Sequence, residues 1–425
     1  DGNRVEKKRY LKMKKSLLPV VVVTCLAFCA CGGGEAEKAK IEVIPLGAAF
    51  DNQTELKTSD CFKKIRYVTL ETTDSCLVGQ GAYATVLNDW IVVTSGRNRC
   101  QLFDKKTGRF IRSIGHVGED PEGYSNVHGG WQNPYTDKLS FPGWKNKIVV
   151  YGADGKFDQI WTPPIPAGQF PATAAFDYLD ADIIAGYYSA TDSLPARIAL
   201  FRGEEVVRVE SLLTEQEGDG AITPNDIASI SVLRDGGDGM MIIKYKDDKS
   251  AAYPLGNSCF WHADKDLYFR KSYNDTIYRV SAVKELQPAR VLDLGVHGWT
   301  YNERFEDKKD AIYPTKFMEN KEVVLFRFMT NVYNDKQKTY NALYRKADGI
   351  VKVCPFDDKI TDDTNGFLPL QPVSVSASGE FAAILPSEEV VTWFEDNAGK
   401  TDIPAEVAAL KKVGGEDNPV VVIME

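Results

Sequence analysis

The chain has 425 residues, 43% of them hydrophobic and 26% charged, and a formal net charge of −9. That balance excludes a disordered or collagen-like chain, and the net negative charge argues against nucleic acid, whose binding requires clustered Lys and Arg to replace phosphate counterions. Length alone predicts two or three domains, although β-rich architectures use this much chain as one.

Residues 1–16 are basic and polar, with Arg4, Lys7, Lys8, Arg9, Lys12, Lys14 and Lys15. An apolar run follows from Leu17 to Cys31. It is shorter than the ~20 residues a spanning helix needs, and a basic lead before a short apolar stretch reads as an export signal. Met13 reads as the natural start, which makes residues 1–12 an upstream extension. Phe28-Cys29-Ala30-Cys31-Gly32 resembles a bacterial lipobox, with Ala30 as the small residue before the cysteine that would be acylated, Cys31. Residues 1–31 are thus the signal and lipobox region, and residues 32–40, opening Gly32-Gly33-Gly34, are a flexible tether. The expected partner of Cys31 is a membrane, reached through its acyl chains. Residues 1–30 carry seven Lys or Arg and two Asp or Glu, so their removal takes the body from −9 to −14.

Cys25 and Cys29 leave with the signal, and Cys61, Cys76, Cys100, Cys259 and Cys354 stay in the body. An odd, scattered set is no disulfide framework. Cys61 and Cys76 lie close in sequence, and a bonded pair and two free thiols both remain open. No CxxC or Cys/His metal spacing is present.

From residue 41 onward, short apolar runs are broken by Gly, Asn, Asp and Lys, the pattern of regularly spaced strands. Leu102-Phe103-Asp104 with Thr107-Gly108-Arg109-Phe110 reads as strand, turn, strand. It recurs around Tyr151, Phe201, Tyr278 and Tyr344, at intervals of 48, 50, 77 and 66 residues. The first two intervals fit one four-stranded unit each, and the longer two predict insertions within 212–250 and 297–320. The expectation is an all-β fold, a six-bladed β-propeller over residues 41–425. Its sixth blade combines Ser374–Leu385 and Pro419–Met424 with N-terminal strands at Ile41–Leu46 and Ile65–Leu70, so that N- and C-terminal strands close the ring and remove free sheet edges. Short helices are expected near the C-terminus, one capped by Ser387 and running through Phe394, another from Pro404 through Lys412.

Ile114-Gly115-His116-Val117-Gly118-Glu119-Asp120-Pro121-Glu122-Gly123-Tyr124, with Tyr67–Thr72, Asp275–Tyr278 and Asp417–Val420, resembles the landmarks of six-bladed β-propeller lipoproteins of Bacteroidetes, relatives of the NHL-repeat propellers. The resemblance implies that fold and a cell-envelope location: export across the inner membrane and anchoring at the outer membrane, facing the periplasm or the surface. It implies no particular activity.

A propeller leaves an axial channel rimmed by loops. The Gly115–Tyr124 turn is expected on that rim, which makes His116, Glu119 and Glu122 binding candidates, and His128 opens the following inner strand. Trp131, Trp144, Trp161, Trp261 and Trp299 are candidates for sugar stacking, although most propeller aromatics pack between blades. No nucleophile elbow, phosphate-binding loop or HExxH motif exists. The leading expectation is therefore a lipid-anchored propeller that binds an unknown small-molecule, glycan or protein ligand without catalysis. The alternative is a metal-assisted hydrolase or lyase of the gluconolactonase or amidating-lyase type, with a divalent metal in the channel and His128 among its ligands.

Overall fold

In the computed structural model the described residues are 41–96, 99–127, 130–165, 174–191, 194–212, 224–235, 238–255 and 259–425. Cys31, the signal and the tether lie outside them, as does His128. No helix among the described residues is long and apolar enough to cross a membrane.

The described chain is all-β and forms seven sheets. Sheet A holds Tyr83–Val86, Trp90–Ser95, Arg99–Asp104 and Phe110–Ser113. Sheet B holds Trp131–Gln132, Leu139–Pro142, Ile148–Tyr151 and Phe157–Trp161. Sheet C holds Ala175–Tyr178, Ile183–Tyr188, Arg197–Arg202 and Glu205–Ser211. Sheet D begins with Phe260–Ala263, Asp266–Phe269, Thr276–Arg279 and Gln287–Leu292. Sheet E holds Tyr313–Glu319, Val323–Thr330, Lys338–Arg345 and Ile350–Pro355. Each is antiparallel in chain order, as short connections between successive strands require.

Sheet F is assembled from both ends of the described chain. Pro372–Val375, Phe381–Leu385 and Val420–Met424 come from the C-terminal part, and Ile65–Thr69 pairs antiparallel with the last of them, Ile65 opposite Met424 and Thr69 opposite Val420. The other N-terminal segment behaves differently from expectation. Glu42–Ile44 does not join sheet F; it adds to sheet D as a fifth, parallel strand beside Arg290–Leu292. Side chains explain the choice. The Glu42 carboxylate bonds Arg290 Nε at 2.7 Å and also accepts from Tyr344 of sheet E.

The apolar residues face neighbouring sheets rather than one common interior. Along Val420–Met424 every residue is buried, but Val420, Val422 and Met424 join a cluster with Val323, Leu325 and Leu343 of sheet E. Val421 and Ile423 join Ala84, Val86, Ile91 and Phe103 of sheet A. Such strands are apolar on both faces because each face meets a sheet, and alternate residues divide between the two contacts. The same arrangement links A with B through Val92, Leu102, Phe141 and Val149, and B with C through Ile148, Val150, Phe176 and Tyr188. C meets D through Ile198, Leu200, Phe260 and Leu267, and D meets E through Trp261, Ile277, Phe317 and Phe326. The five aromatic anchors of the sequence repeat lie on the third strands of sheets A, B, C, D and E.

The F–A seam is also polar. Arg66 Nη1 donates to the Lys105 carbonyl at 2.8 Å, and Lys105 pairs with Glu380 at 2.7 Å. Gly108 sits at φ +70°, and a Cβ there would lie 2.0 Å from the Thr69 carbonyl oxygen, so only glycine lets the sheet A turn touch the N-terminal strand.

The first predicted insertion holds a separate three-stranded sheet, Ile227–Asp235, Asp238–Tyr245 and Ser250–Leu255. It is fixed to sheets D and E by aromatic packing: Met240 and Ala252 pack with Tyr273, Trp299 and Tyr313. The Ala252 amide donates to the hydroxyls of Tyr273 and Tyr333 at 2.7 and 3.0 Å. The second predicted insertion is shorter than expected, because Tyr313–Glu319 already belongs to sheet E. Near the C-terminus, helices run over Ser387–Asp396 and Ala405–Ala408. Pro386, not Ser387, is the residue before the first helix, and the Ser387 hydroxyl instead bonds the Gly415 carbonyl at 3.0 Å. Cys61, Cys76, Cys100, Cys259 and Cys354 are all free and buried, so Cys61 and Cys76 do not pair.

Candidate functional site

One strand of each of sheets A to F, its first in sheets A to E and Pro372–Val375 in sheet F, brings a polar side chain to one cavity of about 160 Å³. Tyr83, Gln132, Asp177, His262, Lys316 and Ser374 line it, one from each of the six sheets. Trp261 and Phe317, beside His262 and Lys316, also border the cavity and stack on each other with centroids 4.3 Å apart, whereas Ala84, beside Tyr83, is fully buried against the neighbouring sheet. On the same volume measure one water needs about 10–15 Å³, so the cavity has room for a ligand about as large as a small organic acid or single sugar.

A carboxylate and an imidazole sit side by side on the C and D walls. His262 Nε2 lies 3.2 Å from Asp177 Oδ1, the pair being 85 residues apart in sequence. Asp177 is only 6% exposed, and its Oδ1 also accepts the Tyr178 amide at 2.7 Å. Tyr135 packs edge-on to the His262 ring, with centroids 6.2 Å apart. Burial, with Asp177 nearby, pushes the Tyr135 phenol up to about 12, so it stays a donor, to the carbonyls of Leu179 and Lys265 at 2.7 Å. His262 Nδ1 and Trp131 Nε1 are buried with no hydrogen-bond partner among the described residues.

Positive charge lies on the E wall. Lys316 is 2% exposed, with its ammonium 3.3 Å from the Tyr83 hydroxyl and 4.9 Å from the centre of that ring. Arg327 is its cross-strand neighbour, and burial pulls that guanidinium down to about 10, still cationic at neutral pH. The cavity thus has a carboxylate and imidazole on one side and the Lys316 ammonium on another, with hydroxyls between. Such an arrangement binds and orients a polar ligand carrying an anionic group together with hydroxyl or amine donors.

The residues singled out in the sequence lie elsewhere. His116, Glu119 and Glu122 are exposed on the turn between sheets A and B. His116 Nε2 bonds Asp120 Oδ2 at 2.7 Å, which holds the Asp120 carboxyl below the usual aspartate range. The turn is folded around Tyr124, which is fully buried and donates its hydroxyl to the Ile114 carbonyl at 3.0 Å. Among these tryptophans, Trp161, Trp261 and Trp299 are buried, Trp131 and Trp261 border the cavity, and Trp144 is 46% exposed. No group of three His, Cys, Asp or Glu side chains able to share a metal exists among the described residues. Asp177 and His262 by themselves make too small a donor set for a resident cation.

Asp177, His262 and Lys316 were missed in the sequence. The signal available was a charged residue inside an otherwise apolar strand, as in Phe176-Asp177-Tyr178 and Trp261-His262-Ala263.

A family model described as a domain of unknown function (DUF4934) matches residues 41–425. Among solved structures, a protein of Bacteroides fragilis described as exported is similar, at TM-score 0.55 and 15% identity, over 88% of this chain and 97% of that one. A Bacteroides vulgatus member of the DUF4221 family gives TM-score 0.42 and 10% identity, over 88% and 98%. The WD40 repeats of RRP9 give TM-score 0.35 and 12% identity, over 88% and 99%. No curated protein matches the chain.

Proposed function

We propose a function on this premise: the chain belongs to the DUF4934 family, a domain of unknown function. It is an exported, lipid-anchored β-propeller of six blades, sheets A to F, whose axial cavity binds a small polar ligand without transforming it. The single observation that carries the reading is the convergence of polar side chains from the first strands of six sheets on one cavity. A ring is the arrangement in which six first strands share one axis and each sheet packs between two others. The sequence of contacts A–B, B–C, C–D, D–E, E–F and F–A supports it. The three-stranded sheet then stands outside the ring, since the first strands of C and D contact each other directly.

Export and anchoring rest on the basic lead, the apolar run and the lipobox ending in Cys31. Replacing Cys31 with Ala is expected to release the protein from the membrane fraction, and unchanged retention would refute the anchor.

Ligand binding is tested by a thermal-shift screen of small hydroxy acids, amino acids and sugar acids. A ligand at a hundred times its Kd stabilises by about 2.7 kcal/mol, which for a unit of this size raises Tm by roughly 3 °C. The expected result is a hit whose shift disappears in Lys316→Met and Asp177→Asn. A hit that stabilises both variants as well as the wild type, or no hit at all, would contradict the axial site.

A further inference from the structure

A second concavity lies away from the axis, between the Gly115–Tyr124 turn and the hairpin turn after Leu139–Pro142. It has a volume of about 200 Å³, and its wall includes Glu119, Asp120, Pro121, Trp144, Lys145 and Lys147. Trp144 is 46% exposed, and no aromatic ring packs on it among the described residues. A single exposed apolar side chain is ordinary on a protein surface. Three further features set this one apart.

First, the loop that presents it is strained. Lys145 and Asn146 lie at φ +56° and +60°, consecutive non-glycine residues in the left-handed region. Backbone held this way concentrates at binding sites because the surrounding structure must hold it there. Here Gly143 N donates to the Lys147 carbonyl at 2.7 Å and Lys147 N to the Trp144 carbonyl at 3.2 Å, closing the loop beneath the indole.

Second, the opposite wall is rigid. Tyr124 is buried beneath it, the Tyr151 hydroxyl donates to the Glu122 carbonyl, and Asp120 is held by His116 and by the Glu122 amide. A Cβ at Gly123 would come within 2.4 Å of the Gly118 carbonyl oxygen, so the turn admits no bulkier residue there. Both walls are therefore formed before a ligand arrives, which lowers the ordering cost of binding.

Third, the polar groups around the indole suit one ligand class. Glu119 offers a carboxylate with no ion pair among the described residues, Lys145 and Lys147 offer ammonium groups, and Asp120 balances the charge, two anions against two cations. An apolar plate bordered by separate acceptors and donors, with no net charge, matches a neutral pyranose. One face of that ring is C–H and its rim is hydroxyl.

We propose that this cleft is a carbohydrate site, in which Trp144 stacks on a neutral pyranose ring and Glu119 and Lys147 bond its hydroxyls. The site stands independently of the axial cavity. The test is saturation-transfer NMR and calorimetry with the methyl glycosides of glucose, galactose and mannose. The wild type is expected to bind at least one, Trp144→Ala to weaken it at least tenfold, and Trp144→Phe to retain most of it. Glu119→Gln is expected to weaken it less than Trp144→Ala. Trp144 is exposed, so Tm should be unchanged and a folding defect is separable from lost binding. Lys316→Met, in the axial cavity, should leave glycoside binding intact. Absence of binding, equal binding by Trp144→Ala, or loss in Lys316→Met with Trp144→Ala unaffected would each overturn the assignment.

Discussion

The charge cluster between sheets D and E makes a quantitative prediction. The Glu319 side chain is fully buried and accepts four bonds: Arg290 Nη1 at 2.9 Å, Arg290 Nη2 at 2.6 Å, Trp261 Nε1 at 2.8 Å and Lys346 Nζ at 2.6 Å. It is also what holds the Arg290 guanidinium well above its ordinary range against the effect of burial. Glu319→Ala leaves Arg290, whose side chain is 8% exposed, and Lys346 facing each other without their shared anion. Breaking a buried pair by removing one partner costs about 3–5 kcal/mol. Arg290 keeps Glu42 and Lys346 keeps the Asn320 carbonyl, which favours the lower half of that range. Glu319→Gln retains a neutral acceptor and should lose about 2 kcal/mol. In urea unfolding the Ala variant is expected to shift the midpoint with little change in slope. At about 2 cal/mol/K per residue, its Tm falls by roughly 4–5 °C. A loss below about 1 kcal/mol would refute the reasoning, because it would mean that the cations find water or other anions at no cost.

Further predictions follow from the turns and seams. Tyr124→Ala removes a fully buried ring and its bond to Ile114; it should lose about 3–5 kcal/mol, read by chemical denaturation. Gly108→Ala forces a Cβ onto the Thr69 carbonyl from a positive φ; a loss of about 2 kcal/mol or more is expected, whereas a neutral substitution would show that the F–A seam is loose. The Asp120 carboxyl should titrate below the usual aspartate value, chiefly because it accepts from His116. A depressed folded-state value means that its contribution to the turn is present above the unfolded value near 3.9 and is lost as pH falls through the folded one. Side-chain NMR titration checks this, and His116→Ala should return the midpoint toward the ordinary range.

The sequence carried the strand repeat because packing between sheets demands it. Phe103, Tyr151, Phe201, Tyr278 and Tyr344 all occupy third strands, where a large ring fills space between neighbouring sheets. The all-β class was legible for a similar local reason. The place of Glu42–Ile44 was not, because it depends on Arg290 and Tyr344, hundreds of residues away, which offer its glutamate partners. The cavity lined by Asp177, His262 and Lys316 was illegible for the same reason. Asp177, His262 and Lys316 come to one cavity only when the first strands of separate sheets are brought together. His116, Glu119 and Glu122 attracted attention as a compact charged motif, yet the motif's regularity serves the burial of Tyr124.

The central claim is that sheets A to F close into one ring through sheet F, where Ile65–Thr69 pairs with Val420–Met424. Native-state hydrogen exchange tests it most directly. In a closed ring the amides of Val421 and Ile423 exchange only with global unfolding, at the same free energy as Val92 and Leu102 of sheet A. Exchange of residues 420–424 through a local opening that leaves sheet A protected would show that the two ends of the chain are not locked together, and would contradict the ring.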